Sequence, residues 1–178
     1  MPVTVGVNNL SVVHQSSNGT TIAFPDVCKT PTPGGPVPIP YPNIAQSSDT
    51  ANGSTSVEMD GNPICLKDSN FKMSTGDEAG SAGGGVVSNK IKGKAEFVNF
   101  SFDVMVEGKN VARAFDLMLH NDKNTPPFPL LQGPVIALGG RLLPALGYGS
   151  PDGRREEASR DRRLVERLLR DTSWAGVR

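Results

Sequence analysis

Apolar and polar residues alternate in short runs along the first two-thirds of the chain, and turn residues interrupt each run. A period of two predicts half-buried strands, and the residues between the runs predict tight hairpins. Val5 to His14, VGVNNLSVVH, reads as strand, turn, strand about Asn8-Asn9, because asparagine tolerates the left-handed backbone that a tight turn needs. Thr20 to Phe24 is a short strand after a turn at Asn18-Gly19. Val57 to Lys67 is a hairpin about Asp60-Gly61. Ala95 to Val106, AEFVNFSFDVMV, is the strongest strand signal; Glu107-Gly108 turns it and Asn110 to Phe115 returns. Ala45 to Thr55 reads as loop, and Ser69 to Gly85 as irregular, ending in a glycine cluster.

The hairpins repeat one another. Met59-Asp60-Gly61-Asn62-Pro63-Ile64-Cys65 corresponds in character to Val106-Glu107-Gly108-Lys109-Asn110-Val111-Ala112, and Val5 to Val13 is a looser third copy. Repetition predicts a pseudo-threefold body. Between the first two copies lies Phe24 to Asn43, FPDVCKTPTPGGPVPIPYPN. Six prolines from Pro31 to Pro42 exclude a helix or a central strand and favour extended backbone. Gly34-Gly35 supplies one bend. A free linker or SH3-type ligand would be more polar; Phe24, Val27, Val37, Ile39 and Tyr41 instead predict that this strap is an ordered loop packed on a β body.

The pattern changes after His120. Asn121 to Pro127 reads as a polar linker. Phe128 to Tyr148 is apolar and as long as a membrane span, but Pro129, Pro134, Pro144, Gly139-Gly140 and Arg141 argue against a spanning helix. Arg154 to Arg170 is the one convincing amphipathic helix, with Leu164, Val165, Leu168 and Leu169 on its apolar side. The expected fold is mainly β: a small cone-shaped body of short β-hairpins over residues 1–121, and a C-terminal extension over 122–178 containing the apolar tract 128–148 and one α-helix, 154–170.

Composition narrows the classes. The formal net charge is zero, which gives no electrostatic case for nucleic acid or an anionic membrane. Apolar residues make up 37%, beside 20 glycines and 15 prolines, which points to a turn-rich β structure with a small core. The N-terminus lacks a signal-peptide pattern, so a cytoplasmic start is expected; two cysteines there argue against a disulfide framework. Searching for nucleophile elbows, Walker loops, dinucleotide fingerprints and zincin motifs finds none, and the expectation is that the chain is not an enzyme. His14, Cys28, Cys65 and His120 are all the histidines and cysteines present. Two imidazoles and two thiolates suit tetrahedral zinc, although no two are at metal-ligand spacing. Burial as a free thiol competes with ligation at Cys65. Asp103, Arg113 and Asp116 lie in or beside strand signals; an Arg113–Asp116 pair either sits on a solvated face or locks the last hairpin.

These segments resemble the PAAR-like family, the pointed tips of type VI secretion spikes. The resemblance runs to Asn121 and rests on VVHQSS at Val12, the strap, SSDT at Ser47, KMSTGDEAG at Lys72, GGGVVS at Gly83, VEGKNV at Val106 and VARAFDLMLHN at Val111. It implies a β cone whose base caps a trimeric VgrG-type spike, delivered by the injection machine after assembly in the cytoplasm. It implies a metal-binding role for His120 near the apex, with His14 and Cys28. Relatives often have a cysteine where this chain has Ala112, and Cys65, at the equivalent repeat position, could substitute. A structural tip protein is thus expected, with a C-terminal helix free to dock an effector or chaperone. The alternative is a toxin whose extension acts on a membrane.

Overall fold

Residues 3–133 are described by a computed structural model, and they are mainly β, with several small sheets and one short 3-10 turn at Ser47–Asp49. Strand β1 (Gly6–Val7) turns into β2 (Leu10–Ser11); β3 (Thr20–Thr30) and β4 (Val37–Gln46) form a long ribbon; β5 (Thr50–Ala51) follows the 3-10 turn. Next come β6 (Glu58–Met59), β7 (Asn62–Pro63), β8 (Asn70–Phe71) and β9 (Gly84–Gly85). The remaining strands are β10 (Ala95–Phe97), β11 (Met105–Val106), β12 (Lys109–Asn110), β13 (Leu117–Leu119) and β14 (Phe128–Pro129).

The three hairpins are copies in detail. Their turns place Asn8 and Asn9 at φ 52° and 64°, Asp60 and Gly61 at 52° and 71°, and Glu107 and Gly108 at 52° and 73°. Two successive positive φ values define the turn whose twist matches paired strands. After each hairpin the chain enters the interior through Val12-Val13, Ile64-Cys65 and Val111-Ala112, all buried. There the copies bond in a ring: Val13 N–H donates to Ala112 C=O (3.2 Å), Ala112 to Cys65 (2.9 Å), and Cys65 to Val13 (2.7 Å). The repeat runs further than its sequence suggests. Ser17 Oγ, Ser69 Oγ and Asp116 Oδ2 each accept the backbone N–H three residues earlier, from His14 (3.3 Å), Leu66 (2.8 Å) and Arg113 (2.7 Å).

A second ring lies at the hairpin tips. Each leading turn residue reaches the residue just ahead of a neighbouring copy. Asn8 donates to Asp103 (2.9 Å), Asp60 accepts from Thr4 N–H (3.0 Å), and Glu107 accepts from the N–H groups of Ser56 (2.6 Å) and Thr55 (2.8 Å). Those backbone and side-chain bonds from Ser56, followed by Thr55, hold the Glu107 carboxyl down at about 2. Beneath the hairpins Val7, Val12, Ile64, Leu66 and Val111 form one apolar cluster, flanked by half-buried Val5, Val57, Met59, Val104 and Val106. A second cluster contains Val13, Cys65 and Ala112 with Phe71, Phe97, Met118 and Leu130, and Phe71 meets Phe97 edge to face at 5.7 Å.

Several elements differ from expectation. The strap is a hairpin, not a loop: its first part, to Thr30, ends β3 and its second, from Val37, opens β4, and the two strands pair from Thr20↔Gln46 to Thr30↔Val37 with a bulge between Ala23 and Asp26. Its second strand, β4, is the one that carries the alternating prolines. It is an edge strand, in the order β4-β3-β9, and Pro38, Pro40 and Pro42 alternate so that their missing donors cost no ladder bond. The 95–106 signal is broken into β10 and β11, because Ser101 and Asn99 hydrogen-bond to other segments instead of continuing a ladder. Ser69 to Gly85, expected to be irregular, holds β8 and β9. The linker expected at 121–127 is part of the body: Asn121 and Asn124 are buried, and β14 joins the sheet β14-β13-β10-β8-β5. The helix at 154–170, and the apolar tract beyond Gly133, lie outside the described residues.

Candidate functional site

A buried polar cluster lies where the β3–β4 ribbon meets the chain after β13. Beyond the bulge, Asp26 and Cys28 share the inward face of β3, being two residues apart on a strand. Asp77 joins them from the loop after β8, and all three are fully buried. The Cys28 thiol is 3.6 Å from Asp26 Oδ1 and 3.9 Å from Asp77 Oδ2. Around them hydrogen-bond donors point inward. The side-chain amides of Asn43, Asn121 and Asn124 donate to Asp26, and Lys92 N–H donates to both Asp77 oxygens at 3.1 Å. The Asn121 amide is also 3.8 Å from the Cys28 sulfur.

Burial, then the charges of Asp26 and Asp77, push the Cys28 thiol up to about 12. Burial pushes the Asp77 carboxyl up to about 6. Two glycines let the backbone close over the cluster: a Cβ at Gly80 would collide with Cys28 Cβ, and one at Gly85 with the Asn124 side chain. The glycine run 80–85, without a phosphate-binding context in sequence, thus has a packing role.

The four histidines and cysteines do not come together. Cys28 is in the cluster. His120 is next to it and fully buried, but its ring contacts Asn43 Oδ1 (3.4 Å) and Thr21 Oγ1 (3.1 Å); burial takes it down to about 4 and keeps it neutral. Cys65 sits in the apolar core beside the Thr50 hydroxyl (3.6 Å), where burial pushes its thiol up to about 12. His14 belongs to the first repeat, with Nε2 3.4 Å from Asp60 Oδ2 and neither ring nitrogen hydrogen-bonded. Among the described residues, the only group of three or more such side chains with donor atoms mutually within 4.8 Å is Asp26, Cys28 and Asp77, which could hold a metal. The physical reason is the repeat. His14 and Cys65 occupy hairpin-repeat positions, whereas Cys28 and His120 come from the ribbon and the segment behind it. Asp26 was detectable from its i, i+2 relation to Cys28 on a strand. Asp77 carried no such signal. Neither cysteine is in a disulfide.

A repeat of three hairpins closed in a ring, mainly β and joined to a proline-edged ribbon, defines a pseudo-threefold β domain. The Toxin PAAR-like domain family matches residues 19–127, and the chain belongs to that family. The match starts after the first hairpin. A curated relative, the DNase toxin Tse7 of Pseudomonas aeruginosa, is 42% identical over 147 residues, covering 76% of this chain and 38% of that protein. The chain therefore spans well under half the length of that relative. No solved structure matches it.

That likeness corrects two expectations. A chain expected not to be an enzyme is similar to a protein named for an enzymatic activity, the cleavage of DNA. Nucleophile elbows, Walker loops, dinucleotide fingerprints and zincin motifs are a few catalytic templates among many, and a nuclease needs none of them. Excluding nucleic acid on net charge fails for the same reason: formal neutrality of the chain does not prevent a local nucleic-acid site.

Proposed function

We propose that the body formed by residues 3–133 caps a trimeric VgrG-type spike of a type VI secretion machine, and that it serves the delivery of a DNA-degrading toxin. The observation that carries this reading is the double ring of three hairpins, with its flanking side chains Val5, Val57 and Val104 in equivalent places. A single chain with pseudo-threefold symmetry meets the end of a threefold partner with similar groups on all three sides. Family membership and the toxin relative support the delivery role. The tip domain extends through Gln132, whose amide donates to Ser11 Oγ and Val12 C=O, both at 2.9 Å, and the extension begins after it. Assembly in the cytoplasm followed by delivery belongs to this reading, as does docking of an effector or chaperone by the extension. Structural zinc also belongs to it, on the ligands Asp26, Cys28 and Asp77 in place of the four first expected.

Membrane action by the extension is the weaker alternative, because the toxin relative is named for DNA cleavage. Among the described residues no helix is long and apolar enough to cross a membrane. Co-purification of the full chain with a VgrG-type trimer tests the cap. One chain per trimer is expected, and the Val57→Asp/Val104→Asp variant should keep its β spectrum and lose the trimer. Retention of the trimer by a folded double variant would overturn the assignment of this face. Incubating the full chain with supercoiled plasmid reports separately on DNA cleavage.

A further inference from the structure

We propose that Phe102 is the anchor by which this body holds its threefold partner, seated in one of three equivalent apolar pockets at the end of the VgrG-type trimer. The inference rests on the spike-cap reading and says which of the three copies carries the contact. Val5, Val57 and Val104 fix the correspondence of the copies. Two residues ahead of each stand Val3, Thr55 and Phe102; one residue behind stand Gly6, Glu58 and Met105. Val3 is buried and Thr55 is exposed and polar, whereas Phe102 is 94% exposed and Met105 55%. Met105 alternates with Val104 and Val106, which pack on the apolar cluster, so its side chain turns away from that cluster. The third copy thus offers solvent a phenyl ring and a thioether, where the second offers a hydroxyl and a carboxylate.

An isolated exposed apolar side chain is ordinary. What sets Phe102 apart is how firmly its backbone is held. Ser101 Oγ donates to Asn8 Oδ1 (2.7 Å) and accepts Val104 N–H (3.1 Å), and Asn110 Nδ2 donates to Ser101 C=O (2.9 Å). On the other side, Asn8 Nδ2 donates to Asp103 Oδ1 (2.9 Å). Arg113 Nη2 donates to Phe100 C=O (3.0 Å). Both neighbours of Phe102 are therefore tied to the turn of the first hairpin, while its ring is left in solvent. A fixed backbone presenting an unpacked aromatic side chain loses little freedom on binding, and aromatic residues are enriched at interfaces. The position adjoins Val104, on the three-hairpin face that meets the trimer. A threefold partner presents each pocket three times, so it does not distinguish which copy carries the ring.

The test measures the affinity of the full chain for a VgrG-type trimer by calorimetry. Phe102→Ala should weaken binding at least ~10-fold and leave the melting temperature unchanged, because the ring is almost wholly in solvent. Thr55→Phe should recover most of that loss in the Phe102→Ala background, because Thr55 is exposed and its bond to Glu107 comes from the backbone. Wild-type affinity in Phe102→Ala, with the trimer still lost by Val57→Asp/Val104→Asp, would overturn the anchor and leave the cap standing. Retention of the trimer by both variants would overturn the anchor and the assignment of the face together. A loss in Phe102→Ala that Thr55→Phe does not restore would overturn the three equivalent pockets.

Discussion

Removing the Asp116 carboxylate should be among the most damaging single changes in this body. Asp116 is 2% exposed and Arg113 7%. The carboxylate accepts Arg113 Nε (3.2 Å), Arg113 Nη2 (3.1 Å), Asn99 Nδ2 (3.1 Å) and the Arg113 backbone N–H (2.7 Å). Burial raises the Asp116 carboxyl despite these partners, so the pair is held at a cost in desolvation. Asp116→Ala would strand a buried guanidinium and open the turn, which costs ~3–5 kcal/mol. Against a total of about 5–15 kcal/mol this is a large fraction. At roughly 3–5 °C per kcal/mol for a body of this size, melting should fall by ~10–20 °C. The repeat supplies the control. Leu66 and Ser69 occupy the positions of Arg113 and Asp116 in the second copy, so Arg113→Leu/Asp116→Ser should restore most of the loss while keeping the turn bond. Guanidinium denaturation with an unchanged slope measures both. A loss under ~1 kcal/mol in Asp116→Ala, or a double variant as unstable as the single, would refute the reasoning.

The other predictions concern the remaining buried groups. Burial lowers the His14 pKa more than Asp60 raises it, so protonation favours the unfolded chain and stability is lost as pH falls through the ordinary histidine value of about 6.5. His14→Leu, which copies Leu66, should therefore match the wild type near neutral pH and exceed it near pH ~5 in chemical denaturation; a larger loss on acidification than in the wild type would contradict this. His120, lowered to about 4, acts in the same direction and should leave part of the acid sensitivity in place. Gly80→Ala should cost ~1–3 kcal/mol by driving a methyl group into Cys28, and an unchanged denaturation midpoint would show that the loop moves aside freely.

The hairpins were legible in the sequence because everything that makes them is local. Alternating Val57-Met59 and Ile64-Leu66, with turn pairs such as Asp60-Gly61, specify strand, turn and face within a few residues. The similarity of two hairpins was visible for the same reason. The alternate prolines excluded a helix and a central strand, but the reading of the segment as a loop missed the pairing of β4 with β3, which joins distant residues. Tertiary structure decided what depends on distant partners. Whether Arg113 and Asp116 are exposed or buried follows from Asn8 and Phe100 closing over them. Asp26, Cys28 and Asp77 meet because a bulge in β3 and two close glycine contacts bring a loop down on the ribbon, and neither event has a local signature. Pooling all four histidines and cysteines failed because residue type carries no position. His14 and Cys65 are committed to the repeat, Cys28 to the ribbon, and only the long-range packing of the chain sorts one group from the other.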